Sequence, residues 1–80
     1  MNVNYMTFNR CPMRIVEIGN KSYVSLYDLN LKSRPDEKLI NCISVLSESG
    51  YLPLEVVPLE AAIELTTNAK LKEFLKGMIQ

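Results

Sequence analysis

Two short alternating runs joined by Gly19-Asn20 constrain the fold of this chain more than any other feature of its sequence. Residues 13–18 and 23–26 alternate as half-buried strands do, and many of their side chains are β-branched or long. Gly and Asn both tolerate positive φ, which a two-residue hairpin turn requires. The sequence therefore predicts a β-hairpin here.

A short helix is predicted directly after the hairpin. Ser25 and Asp28 have the spacing of a capping box with Asp in place of the usual Glu, and Asp near a helix start also meets the positive end of the helix dipole. The helix should begin near Leu26. It should end within a turn or two, because Asn30 and Pro35 interrupt the pattern.

A long central helix is predicted from Ser33, which has capping-box spacing to Asp36, to Ser49. Pro35 lies at its first turn, and Gly50 supplies a C-terminal stop. Between these limits the apolar side chains recur at the spacing of one buried helix face, formed by Leu39, Ile40, Ile43 and Leu46. Cys42 is expected on this face as a small buried apolar residue.

The rest of the chain predicts one strand and two helices. Residues 54–57 are apolar but follow Pro53, which favours an edge strand over a central one. A helix can begin at Pro58, with a buried stripe of Leu59, Ala62, Ile63 and Leu65. Asn68 can cap a final helix whose inner face is formed by Leu71, Phe74, Leu75 and Met78.

The predicted fold class is α+β. The N-terminal hairpin and the short edge strand would form a small antiparallel sheet, packed against three to four helices. Residues 13–80 are expected to form one domain, and residues 1–12 an N-terminal arm or a short edge strand.

Composition argues against most catalytic chemistry. The 80 residues include no histidine, two cysteines without CxxC spacing and three scattered glycines, so the common catalytic, metal and phosphate-binding constellations cannot be assembled. A carboxylate pair brought together by folding, such as Glu17 with Asp28, is the alternative. We expect no enzyme activity, no cofactor and no metal. The few cysteines favour the cytoplasm, and no apolar run is long enough to cross a membrane.

Charge is balanced overall but uneven along the chain. Nine Lys and Arg residues offset nine Asp and Glu residues, so no global field favours nucleic acid. Basic residues nevertheless gather near the hairpin and at the start of the predicted central helix, where backbone N–H groups also favour phosphate. The candidate nucleic-acid contacts are Arg14, Lys21, Lys32, Arg34 and Lys38. The alternative is that these are solvated surface charges.

The predicted edge strand is a second candidate site. Its contacts would be Leu54, Val56 and Val57, which could pair with the same strand of a second copy and form a homodimer. The alternative is an ordinary edge that Pro53 and Glu55 protect from association.

The segment RIVEIGNKSYVSLYDLN, residues 14–30, resembles the start of the KilA-N and BRO-N type modules at the N-termini of phage antirepressors. The shared features are a strand, a turn with Gly, a strand with an aromatic-Val pair, and an Asp that opens a helix. Residues 56–79 are loosely similar to the end of such modules. The chain lacks the tryptophan that often marks this family.

The resemblance implies a DNA-binding or repressor-antagonising module from a mobile element, with Lys21, Lys32, Arg34 and Lys38 as phosphate contacts. The family's usual C-terminal effector domain is missing from this sequence, which implies a stand-alone module or a piece of a larger protein.

Two hypotheses of different classes therefore stand. The first is a small regulatory module that binds DNA as a dimer, and the second is a protein-interaction module that acts through an edge strand without nucleic acid. One continuous basic surface would favour the first, whereas scattered charge would favour the second.

Overall fold

A computed structural model describes residues 2–78 and shows an α+β fold, as predicted. Its strands are β1 (Asn2–Phe8), β2 (Cys11–Ile18), β3 (Lys21–Ser25), β4 (Asn41–Ser47) and β5 (Gly50–Pro58). Its helices are α1 (Leu26–Leu29), α2 (Leu59–Leu65) and α3 (Ala69–Lys76), and a 3₁₀ turn spans Glu37–Leu39. The strands form one antiparallel sheet in the order β1-β2-β3-β5-β4, which is larger than the predicted hairpin with one added strand.

The predicted hairpin is confirmed as β2 and β3. Ile18 pairs with Lys21 across the turn, and Gly19 has a φ of 61°. A second hairpin, between β1 and β2, turns at Asn9 and Arg10, whose φ values of 52° and 67° belong to a type I′ turn. The predicted boundary between residues 12 and 13 lies inside β2.

The predicted central helix between Ser33 and Ser49 is wrong. Only a 3₁₀ turn forms at its start, and β4 follows, with Cys42 exposed on it. The stretch NCISVLS combines the β-branched Ile43 and Val45, two positions apart, with Asn and Ser, which are weak helix formers. Pairing with β5 therefore prevails over the helical spacing, and Gly50, with a φ of 105°, completes the connecting turn.

The prediction of an edge strand at Leu54, Val56 and Val57 is also wrong. These residues lie in β5, which is bonded to β3 on one side and to β4 on the other. Pro53 favoured an edge strand in the sequence, but it lies outside the segment, residues 56–58, that pairs with β3. Its missing N–H therefore costs no bond on that side of the strand.

The helices follow their predicted starts and stops. Helix α1 is one turn long and ends at Asn30 in a left-handed conformation, with a φ of 51°. The Asn68 side chain accepts hydrogen bonds from the N–H groups of Lys70 and Leu71 and caps α3. Ser25 makes no side-chain cap, so the capping box predicted with Asp28 does not form.

The sheet buries apolar side chains on both faces. The larger cluster lies between the sheet and the helices and contains Met13, Ile15, Val24, Leu29, Val57, Leu59, Ala62, Ile63, Leu71 and Leu75. Phe8 and Phe74 pack beside it with ring centroids 5.2 Å apart. The smaller cluster contains Val16, Leu54 and Val56. Alternation along β5 sends the neighbours Val56 and Val57 to opposite clusters.

Candidate functional site

The structure brings only some of the five predicted nucleic-acid contacts together: Arg34 lines one cleft with Arg14 and another with Lys32. Lys21 begins β3 beside the Gly19-Asn20 turn, whereas Lys32 and Arg34 follow α1 at the opposite end of that strand. Arg14 lies within β2, and Lys38 lies in the 3₁₀ turn before β4. These residues therefore do not form one continuous basic surface.

Arg14 is already engaged by a carboxylate. Asp28 accepts hydrogen bonds of 2.9 Å from both the backbone N–H and the Nε of Arg14. The Asp28 side chain is only 12% exposed. Because the pairing between β2 and β3 ends at Ile15 and Val24, Asp28 supplies the acceptor that a longer ladder would have offered to the Arg14 N–H. The pair is a structural clamp between α1 and the sheet.

Arg34 is held by two carboxylates. Its Nε donates to Glu37 at 2.7 Å, and both terminal nitrogens donate to Glu55. The hydrogen bonds from Arg34 lower the pKa of Glu55, and those to Glu55 and then Glu37 raise the pKa of Arg34. This ion triplet ties the loop after α1 to β5. It leaves Arg34 with no uncompensated charge for a phosphate.

An open cleft of about 660 Å³ lies between the β1–β2 turn and the loop after α1. Tyr27, which is 84% exposed, borders it. Its charged groups are Asp28, Lys32 and Arg34, and two of these three are already in ion pairs. The cleft therefore offers one lysine rather than a convergent set of charges.

The most unusual exposed surface is the hairpin formed by β4 and β5. Leu46 and Tyr51, paired beside its turn, are 68% and 71% exposed, and Leu52 is 49% exposed. Strand β4 ends the sheet and contains neither a charged residue nor a proline. Charges and prolines are the usual protection of such an edge against association, and β4 lacks both.

The pairing of Ser44 with Pro53 fixes which backbone groups of β4 point outward. Proline has no N–H, so this pair cannot exchange both hydrogen bonds and must be a non-hydrogen-bonded pair of the ladder. Bonding alternates along an antiparallel strand, so the N–H and C=O groups of Cys42, Ser44 and Leu46 point away from β5. We call these outward groups the β4 edge.

Sequence reasoning missed this edge because it assigned β4 to a helix. The signal that could have located it is the alternation of Ile43 and Val45 before the turn at residues 48–49, followed by the similar alternation of Leu52 and Leu54.

The described residues form neither a cluster of metal ligands nor a membrane-spanning helix. Within residues 2–78, no three His, Cys, Asp or Glu side chains are placed to hold a metal ion. Cys11 and Cys42 are both exposed free thiols. No helix in this part of the chain is long and apolar enough to cross a membrane.

Among curated proteins, the chain is similar to an ATP phosphoribosyltransferase of Nostoc punctiforme (strain ATCC 29133 / PCC 73102). The two are 30% identical over 74 residues, which are 92% of this chain and 35% of that protein. The chain thus spans about a third of the length of this relative. No family model matches the chain, and no solved structure matches it.

Proposed function

We propose that this chain is a protein-interaction module that binds an extended partner segment along the β4 edge. The observation that carries the proposal is an uncharged, proline-free edge strand next to the exposed side chains of Leu46 and Tyr51. Added strands gain affinity from main-chain hydrogen bonds and specificity from alternate side chains. The outward N–H and C=O groups of Cys42, Ser44 and Leu46 would supply the hydrogen bonds. The exposed side chains of Leu46 and Tyr51 would supply the specificity.

The scattered basic residues support this class over nucleic-acid binding. Arg14 and Arg34, two of the five candidates, are compensated by Asp28 and by the Glu37 and Glu55 pair. Phosphate affinity grows with the number of cations that neutralise phosphates. An edge that pairs through backbone groups needs no net charge, and the chain has none.

The test is a selection of displayed random peptides on the immobilised protein. We expect extended, apolar peptides whose binding is lost in Ser44→Pro, because proline removes an outward N–H but no bond to β5. Ser44→Ala is the matched control and should bind as the wild type does. Failure to enrich any peptide, or equal binding by Ser44→Pro, would contradict the proposal.

DNA binding is the second candidate function. The observation in its favour is the pair α2 and α3, which are joined by residues 66–68 as in a helix-turn-helix, with exposed Lys70 on the second helix. Lys32 and Lys38, which form no ion pair with a described residue, would add phosphate contacts. The resemblance to KilA-N and BRO-N type modules supports the same candidate.

A titration of duplex DNA at low salt tests this second candidate. We expect binding that weakens with added salt and is reduced by Lys70→Glu or by Lys32→Glu. Lys21→Glu, at the far end of β3 from Lys32, tests whether any charge reversal has the same effect. Absence of binding at micromolar protein would eliminate the candidate.

A further inference from the structure

We infer that the β4 edge is filled by β4 of a second copy of this chain, paired antiparallel about a twofold axis at Ser44. This inference rests on the proposed function and names its partner. The pairing would join two five-stranded sheets into one continuous sheet across an isologous interface.

The polarity pattern of β4 is the same in both directions. Asn41–Ser47 reads polar, apolar, apolar, polar, apolar, apolar, polar, with Ser44 at its centre. A twofold axis at Ser44 places Cys42 opposite Leu46 of the second copy, and Ile43 opposite Val45 of the second copy. Apolar side chains therefore meet apolar side chains on both faces, and such cross-strand pairs stabilise a sheet.

The orientation of the backbone agrees with this register. Cys42, Ser44 and Leu46 turn their N–H and C=O groups outward because Pro53 pairs with Ser44. A twofold axis at Ser44 makes these residues the hydrogen-bonded pairs of the new ladder. An axis at Ile43 or Val45 would also match outward groups with outward groups, but it would place the polar Ser44 opposite Cys42 or Leu46, so the polarity pattern selects the axis at Ser44.

Charge within the strand does not oppose this pairing. Within β4 no charged residue opposes its own copy. The zero net charge adds no overall repulsion between copies.

The other edge of the sheet does not have this symmetry. Strand β1 is centred on Tyr5, and the same operation places Asn4 opposite Met6 and Asn2 opposite Phe8. Polar and apolar side chains would then face each other. The observations thus favour β4 over β1 as the dimer contact.

The first experiment measures mass against concentration by sedimentation equilibrium. Wild-type protein should dimerise, and Ser44→Lys and Ser44→Glu should each weaken the dimer by roughly tenfold or more, since like charges would oppose each other on the axis. A mixture of these two variants should restore a heterodimer. Ser44→Thr, which keeps the strand uncharged, should dimerise as the wild type does.

The second experiment tests the register with a single cysteine in a Cys11→Ser, Cys42→Ser background. Ser44→Cys should form a disulfide-linked dimer under oxidised glutathione, because opposed residues of a hydrogen-bonded pair lie about 5.5 Å apart between Cα atoms. Tyr5→Cys, at the centre of β1, is the matched control and should cross-link much more slowly.

The inference fails if the wild type stays monomeric at millimolar concentration, or if the dimer persists in Ser44→Lys. It also fails if Tyr5→Cys cross-links as fast as Ser44→Cys. If the protein binds peptides and Ser44→Pro abolishes that binding, the proposed function stands with a different partner, even when the dimer inference fails. Loss of both would overturn the proposed function itself.

Discussion

Arg14 and Arg34 both hold carboxylates, but the surroundings of the two contacts differ. Asp28 is largely buried and bonds a backbone N–H as well as the guanidinium, whereas Arg34, Glu37 and Glu55 are solvated. A buried carboxylate whose removal leaves an N–H unpaired contributes more to stability than an exposed ion pair does. The two contacts should therefore respond differently to substitution.

Asp28→Ala should lower the free energy of unfolding by about 2–3 kcal/mol, because it leaves the Arg14 N–H without its acceptor. Asp28→Asn keeps an acceptor oxygen and should cost about 1 kcal/mol. Glu73→Ala, which removes an exposed pair with Lys76, should change stability by no more than about 0.5 kcal/mol. Urea denaturation measures all three, and equal effects would contradict the clamp role of Asp28.

The carboxyl of Glu55 should titrate below its ordinary range. Hydrogen bonds from Arg34 lower its pKa in the folded state, so this group stabilises the fold above its unfolded pKa. That contribution is lost as the pH falls through the lower, folded pKa. NMR titration of the Glu55 carboxyl should show the low midpoint, and Arg34→Gln should move the midpoint upward. An unchanged midpoint in Arg34→Gln would show that Arg34 is not the cause.

Removal of two buried hydroxyls should have opposite effects on the stability of the fold. Among the described residues, the Ser25 Oγ is fully buried without a hydrogen-bond partner, while the Thr66 Oγ1 donates to the Ala62 carbonyl at 2.7 Å. Ser25→Ala should leave stability unchanged or raise it by up to about 1 kcal/mol, and Thr66→Val should lower it by about 1 kcal/mol. Thermal unfolding distinguishes the two. A large loss in Ser25→Ala would mean that its hydroxyl has a partner.

At the scale of elements, the turns decide how the hairpins form. The β1–β2 turn places two residues other than glycine in the left-handed region, whereas the β2–β3 turn places Gly19 there. A side chain in that region costs roughly 1 kcal/mol, and an Asn-Gly pair suits a type I′ turn best. The first turn is therefore strained and the second is not.

Arg10→Gly should stabilise the protein by about 0.5–1 kcal/mol, because it relieves a φ of 67°. Gly19→Ala should destabilise it by about 1 kcal/mol through backbone strain alone, since no atom lies within 4 Å of the added Cβ. Chemical denaturation of the two variants checks these opposite signs. A loss of stability in Arg10→Gly would indicate that the arginine side chain has a structural role.

Local signals predicted the elements whose turns and caps are encoded in a few residues. The Gly19-Asn20 hairpin, the end of α1 at Asn30 and the cap of α3 at Asn68 could all be read from the sequence. Strand β4 could not, because Leu39, Ile40, Ile43 and Leu46 also fit a helix face. Pairing with β5 decides between the two, and that contact lies outside the window that periodicity samples.

At the scale of the whole molecule, the sheet stabilises the fold from both faces. Val56 is fully buried in the smaller cluster. That cluster contains only strand residues, so no helix within residues 2–78 covers Val56. Val57 is equally buried on the helix side. Both faces therefore count as core, although helices cover one of them.

Val56→Ala and Val57→Ala should each lower the free energy of unfolding by about 1.5–3 kcal/mol, because both remove methyl groups at full burial. Leu52→Ala, in the same strand but half exposed, should cost less than about 1 kcal/mol. Guanidinium denaturation compares them. A cost for Val56→Ala as small as that for Leu52→Ala would mean that the second face is not a packed core.

The sequence predicted the kind of candidate site, a strand edge, but not its location. An exposed strand edge was expected, and the chain has one, but at β4 instead of residues 54–57. The positions of basic residues were readable, whereas the carboxylates that hold Arg14 and Arg34 come from distant parts of the chain. Such pairings depend on tertiary contacts and have no local signature.

The order of strands in the sheet bears on how the chain folds. Strands β1, β2 and β3 are joined by two-residue turns, and so are β4 and β5. These local hairpins can form early at little cost in chain entropy. The two halves meet in the sheet where Ser25 pairs with Val56, across a much longer stretch of chain. Closure of that long loop is therefore the step expected to limit the folding rate, and until it happens the sides of β3 and β5 that pair with each other remain open edges.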